Sequence, residues 1–225
     1  MKGDSIFDTF FKSTFPSLPN GPEVSRRMVN AGEEAIDQIA AELQASSKEP
    51  GVILLTHSQS GQFGWLLADR RPRFVKAIVA LEPLGPPFVD AVFTNTQKVV
   101  RPFGITDLPL VYDPPLDHSH LLQRLPREVI SRHPEVNLTR ILQPVDAPRR
   151  LANLTHIPVL VVTSESGYHA VYDDCTVDFL KQGGVSVDHL RLEEVGLKGN
   201  GHMMFMEKNA SEIAGIVVSW LGKTL

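Results

Sequence analysis

Val52-Ile53-Leu54-Leu55-Thr56-His57-Ser58-Gln59-Ser60-Gly61-Gln62-Phe63-Gly64 is the stretch on which the reading of this chain turns. Four consecutive apolar residues run into Thr-His-Ser-Gln-Ser-Gly, and a short helical pattern with Phe63, Leu66 and Leu67 on one side begins beyond it. A buried strand that turns sharply into a helix, with a serine at the apex, lifts that serine out of the backbone as a nucleophile elbow. The turn is tight, so the usual form is G-x-S-x-G. Here the flanking positions are Thr56 and Ser60, which makes Ser58 the apex. Thr in place of Gly departs from the pattern. A strand that simply ends in a serine-rich turn, with no chemistry, fits this window equally well, so the rest of the chain decides.

The bulk properties narrow the function classes. A length of 225 residues holds one ordinary domain with a sizeable core. Hydrophobic residues at 42% and charged residues at 21% describe a globular chain. Net charge is -4 with both signs interspersed, so no basic stripe argues for nucleic acid. No apolar run reaches the roughly 18 residues of a membrane span. The opening Met1-Lys2-Gly3-Asp4-Ser5-Ile6-Phe7-Asp8 places acids where a secretory signal is apolar, which implies a cytoplasmic protein. On that reading the sequons at Asn137, Asn153 and Asn209 are chance. A single cysteine, Cys175, excludes an internal disulfide and a multi-cysteine zinc site.

Outward from the elbow, the chain alternates strands and helices. Val24, Met28, Ala31, Ala35, Ile36, Ile39 and Leu43 recur at helical spacing after Asn20-Gly21-Pro22. The elbow helix closes at Arg70-Arg71-Pro72, and Val75 to Leu81 forms a second strand ending in Glu82-Pro83. Residues 83–156 are rich in proline and read as a cap or lid insertion, with one short helix over Leu121 to Arg132. Ile157 to Thr163 is a nearly continuous apolar run, as a doubly covered parallel strand requires. Tyr172 to Gln182 reads as a helix, Val185 to Leu192 as the last strand, and Asn209 starts a terminal helix. The expected architecture is α/β: a mostly parallel sheet of about four strands with helices on both faces, in one domain.

A nucleophilic serine needs a base to take its proton and an acid to orient that base. His202 follows the glycine-rich turn Gly196 to Gly201 after the last strand, a position that brings it to the strand ends. Two residues compete as the acid. Glu165 follows the strand ending at Thr163, and Glu82 ends the strand beside the elbow strand. Parallel sheets gather ligands at the carboxyl ends of their strands, where Glu82 meets Ser58. A glutamate closing a buried apolar run is also costly unless something pairs with it. Glu82 is therefore the expected acid. Asp117-His118-Ser119-His120 has no further ligand set, so the expectation is no metal and no cofactor.

Thr-His-Ser-Gln-Ser-Gly-Gln, Ala-Ile-Val-Ala-Leu-Glu-Pro, Ile-Pro-Val-Leu-Val-Val-Thr and Gly-Asn-Gly-His-Met-Met-Phe-Met-Glu-Lys-Asn, in that order, resemble a branch of α/β-hydrolase-fold serine esterases. That branch has an H-S-Q-S-G elbow, a glutamate acid after the sixth strand and the histidine in a G-N-x-H-M-M block. The resemblance implies Ser58 as nucleophile, Glu82 as acid, His202 as base and the N–H of Gln59 in the oxyanion hole. It also implies Met203 beside the site, with Phe103 and Tyr112 of the cap walling a substrate pocket. The fold implied is the C-terminal half of an α/β-hydrolase, because the strands present correspond to the fifth to eighth of eight. The implied substrate is a small apolar carboxylic ester, and the orphaned edge of the elbow strand is a surface for self-association. An inactive module that binds a ligand or partner, and a lyase or cyclase using the same pocket, are the alternatives that residue patterns leave open.

Overall fold

The computed structural model describes residues 2–14, 21–44, 49–91, 98–116, 125–133 and 138–225. Its centre is a four-stranded sheet in the order β1-β2-β7-β8, parallel throughout, built from Val52–Ser58, Val75–Pro83, Val159–Thr163 and Val187–Arg191. The parallel α/β arrangement is the one the sequence implies. Helices α2 (Gly21–Gln44), α3 (Ser60–Arg70), α4 (Asp173–Gln182) and α5 (Ala210–Thr224) flank it, while α1 (Ser5–Ser13) has no buried residue. None of them is long and apolar enough to cross a membrane.

The sheet separates two cores. The larger joins Val29, Trp65, Leu66, Ile78, Val159, Val161, Phe179 and Leu180, from α2, α3, α4 and one face of the sheet. The smaller packs Val79, Leu81, Leu160 and Val162 under Ile213 of α5, with Val217, Trp220 and Leu221 alongside. Every residue of β7 is buried, as its unbroken apolar run requires. β1 lies at the edge of the sheet, and its Ile53 and Leu55 are 43% and 65% exposed on the side that α5 covers farther along.

The proline-rich insertion contributes core as well as surface. Phe88, Ile105, Leu110, Tyr112, Leu125, Ile141 and Leu151 all belong to the larger cluster. It contains two small antiparallel sheets. One pairs β3 (Tyr112–Asp113) with β6 (Arg150–Leu151); the other pairs β4 (Glu128–His133) with β5 (Leu138–Leu142). The helix expected over Leu121 to Arg132 is not found in its described part, where residues 125–127 are irregular and β4 follows from Glu128. Pro126 removes a helical donor and Val129-Ile130 are β-branched, so local preference there favours a strand. Residues 121–124, like Asp117 to His120, lie outside the described residues.

The elbow depends on two close approaches between elements. A Cβ on Gly61 would sit 2.6 Å from Cβ of Pro83 and 2.9 Å from its Cα, so α3 starts directly against the end of β2. A Cβ on Gly64 would lie 2.7 Å from the Cγ2 methyl of Thr56. The methyl that departs from the G-x-S-x-G pattern is thus accommodated one helical turn later by a glycine. Gly64→Ala should destabilise the protein by about 1–3 kcal/mol in urea unfolding. Thr56→Ser, which deletes that methyl, should recover most of the loss when the two changes are combined.

Candidate active site

Ser58 ends β1 with φ at 55°, a left-handed conformation that non-glycine residues rarely adopt. The ladder to β2 shifts register there, Ser58 pairing with Pro83. Ser60 secures the turn: its Oγ accepts the His57 N–H at 2.8 Å and donates to the His57 carbonyl at 2.7 Å. The second flanking serine therefore ties the elbow together by hydrogen bonds. Gln59 occupies the N-cap position of α3, and no hydrogen bond within the described residues takes up its N–H.

Glu82 ends β2 and is fully buried, with φ at 40°. Strained backbone of this kind costs about 1–3 kcal/mol and persists only where the surroundings over-determine it. Here they do. Oε1 of Glu82 accepts the backbone N–H of Ser164 at 2.9 Å and the Ser164 hydroxyl, and Oε2 lies 2.6 Å from Nδ1 of His202. A Cβ on Gly167 would fall 2.1 Å from Oε1, so the chain after β7 closes onto the carboxylate through a residue without a side chain. Glu165, the alternative acid, instead accepts the Gly199 N–H at 2.7 Å and makes no contact with the imidazole.

The block around His202 is built as a clamp. Asn200 is buried and donates to the Glu207 carboxylate and to Oδ1 of Asn209 at 2.8 Å, while Asn209 returns a bond at 3.0 Å. Glu207 also accepts the Gly201 N–H at 2.8 Å. The spaced Asn, Glu and Asn of the last motif thus hold the loop that presents His202. His57 adds a tether: its Nε2 lies 2.9 Å from the His202 carbonyl, which only accepts, so that nitrogen carries the hydrogen. Burial pushes the His57 pKa down, partly opposed by this bond.

Several neighbours of the site carry no motif. With Nδ1–H of His202 given to Glu82, its Nε2 is the acceptor, and the Tyr168 hydroxyl lies 3.1 Å from it. Burial pushes the Tyr168 pKa up, partly opposed by the nearby Ser58 hydroxyl, and no hydrogen bond joins Ser58 to His202. Beneath them His169 stacks on His202 with ring centroids 4.9 Å apart and planes 6° apart. His169 and Asp173 are both buried and 3.1 Å apart, and Asp173 accepts the Thr163 hydroxyl at 2.7 Å. Burial lowers the His169 pKa to about 3 and raises that of Asp173 well above the usual carboxylate range. Both therefore stay neutral. The available signal was Tyr168-His169 beside Gly167, directly after the third strand of the sheet, in a stretch weighed only for its acid.

Met203 is 44% exposed beside His202, Met204 is buried in the smaller core, and the Phe205 ring meets the edge of His57 at 4.7 Å. Tyr112 is not brought to the site, and Phe103 packs against the larger core. Tyr112 is buried in the larger core with its hydroxyl on the Phe103 carbonyl at 2.8 Å. The preceding Val111 N–H contacts Asp69 near the far end of α3, roughly 14 Å along the helix from Ser60. Their apolar and aromatic character suits core, and core claimed it. A cleft of about 510 Å³ instead opens beside Gln59, lined by Pro22, Gln62, Leu84, Val100 and Asp107 among others. Glu82, His169 and His202 are the grouping among the described residues that could hold a metal, with one ligand atom from each within 4.8 Å of the others. Two of the three are already engaged with each other.

No family model matches the chain. A protein named "Probable secreted lipase phiG", from Fungal sp. (strain ATCC 74256), is 39% identical over 221 residues, covering 98% of this chain. The chain spans 57% of that relative's length. A solved structure described as that of a novel bacterial esterase is 22% identical and aligns with 83% of this chain and 42% of its own, at a TM-score of 0.44. The relative's name overturns the cytoplasmic expectation. That expectation treated Met1 as the start of the whole protein, for which a chain covering 57% of its relative gives no ground.

The buried His169–Asp173 pair yields a pH test with a defined sign. Between about pH 4 and 6.5 the unfolded pair holds one proton, on the imidazole, and the folded pair also holds one, on the carboxyl, so the pair adds no slope. Asp173→Asn removes that compensation. Unfolded His169 then binds a proton that the folded one lacks, and stability should fall as pH drops through 6.5. The expected slope relative to wild type is up to about 1.4 kcal/mol per pH unit, read from urea midpoints between pH 7.5 and 4.5.

Proposed function

We propose that this chain carries the nucleophile, base and acid of a serine hydrolase acting on carboxylic esters. The observation that supports it most is the 2.6 Å contact between His202 Nδ1 and the buried Glu82 carboxylate, at the strand ends where Ser58 stands on a left-handed turn. Homology to a protein named as a lipase supports the same chemistry.

In this reading Glu82 fixes the His202 tautomer and stabilises the imidazolium that forms, leaving Nε2 as the proton acceptor. Ser58 Oγ attacks the ester carbonyl carbon, its proton passes to His202, and the π pair moves to the carbonyl oxygen near the Gln59 N–H. Collapse expels the alcohol, which takes the proton, and leaves an acyl group on Ser58. Water then repeats the sequence and releases the acid. The cleft beside Gln59 mixes Leu84 and Val100 with Gln62 and Asp107, which supports a small ester with some polar character rather than a purely apolar one.

A second reading has one observation in its favour. β1 is an edge strand whose Ile53 and Leu55 are exposed, a surface suited to pairing with another chain. Concentration-dependent light scattering together with an absence of esterase activity would favour it.

The first reading has a direct test. A fluorophosphonate should label wild-type protein, and Ser58→Ala should abolish both labelling and p-nitrophenyl ester hydrolysis. Glu82→Gln should keep the fold but lower kcat on the order of 10⁴-fold, since the amide admits the wrong imidazole tautomer. Labelling that survives Ser58→Ala would reject the assignment.

A further inference from the structure

We propose that Asp107 is a specificity-determining residue of the cleft beside Gln59, its carboxylate receiving a neutral hydroxyl carried by the ester. The inference rests on the serine-hydrolase reading above and narrows its substrate to a hydroxylated ester. Among the described residues the buried carboxyl groups are those of Asp69, Glu82, Asp107 and Asp173. Glu82 meets Ser164 and His202, both oxygens of Asp69 face the Val111 N–H, and Asp173 meets Thr163 and His169. Asp107 differs. It receives one hydrogen bond from another residue, the Ser25 hydroxyl on Oδ2 at 2.8 Å, and its Oδ1 has no partner. An ionised carboxylate has about four acceptor positions, and leaving them bare in a buried setting is costly. Burial accordingly pushes the Asp107 pKa up.

The cleft is where a further donor can enter. Gln59, next in the chain to Ser58, lines it, as does Leu84, whose N–H donates to the Ser58 carbonyl at 2.8 Å. Asp107 and Gln62 line the same space, so the under-bonded carboxylate and the elbow share one cavity of about 510 Å³. Gln62 stands about one turn of α3 beyond Gln59. Its Nε2 donates to Ser25 Oγ at 3.3 Å, and Ser25 donates in turn to Asp107. Both bonds of this row point toward Asp107, so the row ends on an acceptor and the complementary group is a donor. The carboxylate is also held in place: a Cβ on Gly21 would lie 3.3 Å from Oδ2, because α2 begins against it.

Charge decides between a hydroxyl and an ammonium. Lys98 and Arg101 line the cleft together with Asp90 and Asp107, so these walls carry as many cations as carboxylates. Arg101 is buried, and its Nε and Nη2 are given to the carbonyls of Pro86 and Val89. An ammonium entering this space would lose its hydration and be repelled by both cations. A hydroxyl supplies the donor without bringing a charge.

The probes are two pairs of esters in which a hydroxyl replaces a methyl group of similar size. On the acyl side p-nitrophenyl 3-hydroxybutyrate is compared with p-nitrophenyl 3-methylbutyrate, and on the alcohol side 2-hydroxyethyl butyrate with propyl butyrate. Wild-type kcat/KM should favour the hydroxylated member of at least one pair by about 10- to 100-fold, carried mainly by KM. Asp107→Leu, with its fold checked by urea unfolding, should bring that ratio close to one. Asp107→Asn keeps the shape without the charge and should lower the ratio several-fold, which decides the matter where the leucine variant does not fold. A wild type that favours neither hydroxylated ester overturns the inference, as does a ratio unchanged in a folded variant. A chain that hydrolyses none of the four esters and takes up no fluorophosphonate rejects the hydrolase reading, and this inference with it. Hydrolysis of both pairs without preference rejects the role of Asp107 alone.

Discussion

The Glu82 carboxylate is the constraint around which this end of the molecule is arranged. A carboxylate taken out of water is tolerated only when its lone pairs are satisfied, and a lone one in this position would cost several kcal/mol. Three donors meet it: the Ser164 N–H, the Ser164 hydroxyl and His202 Nδ1. Those donors come from the segment after β7 and the loop after β8, so one side chain ties three strand ends together. The consequences spread outward. Gly167 is required because nothing larger fits against Oε1, and Asn200 with Glu207 holds the His202 loop in reach. The left-handed backbone at Glu82 persists because all of these contacts act on it together.

The elbow answers to a different physical requirement, the space between α3 and the sheet. Conventional reading looks for small residues two before and two after the serine. In this chain those positions hold Thr56 and Ser60, and the needed space is supplied elsewhere. Gly61 lets the first turn of α3 rest on Pro83, and Gly64 receives the Thr56 methyl. Ser60 uses its hydroxyl to close the turn on His57. The degenerate motif and the structure satisfy one steric condition by different residues.

Strands and long helices were legible from residue pattern because burial on two faces leaves an unbroken apolar run, as in Val159–Thr163, and burial on one leaves a 3.6-residue period, as in α2. Glu82 was legible because a carboxylate that ends such a run needs a partner. The proline-rich insertion was not legible. Its apolar residues are dispersed among turns with no period, yet Phe88, Ile105 and Tyr112 join the main core, which only the three-dimensional path of the chain decides. Tyr112 was drawn to the site by residue type alone, and packing took it into the core. Tyr168 and His169 escaped notice for the opposite reason. A tyrosine and a histidine after a strand are ordinary until Gly167 is seen to press that turn against Glu82.

The described geometry also separates two requirements that an ester hydrolase must meet. Ser58, Glu82 and His202 come from β1, β2 and the loop after β8. Their arrangement rests on contacts among these elements and with the segment after β7. Stabilising the oxyanion is another matter. In the proposed reading the Gln59 N–H is one donor, and removing one of a pair of such donors typically costs about 10²–10³ in rate. A second donor, where an oxyanion hole has one, comes from a separate loop. The groups proposed for proton transfer are thus held by contacts among the described residues themselves.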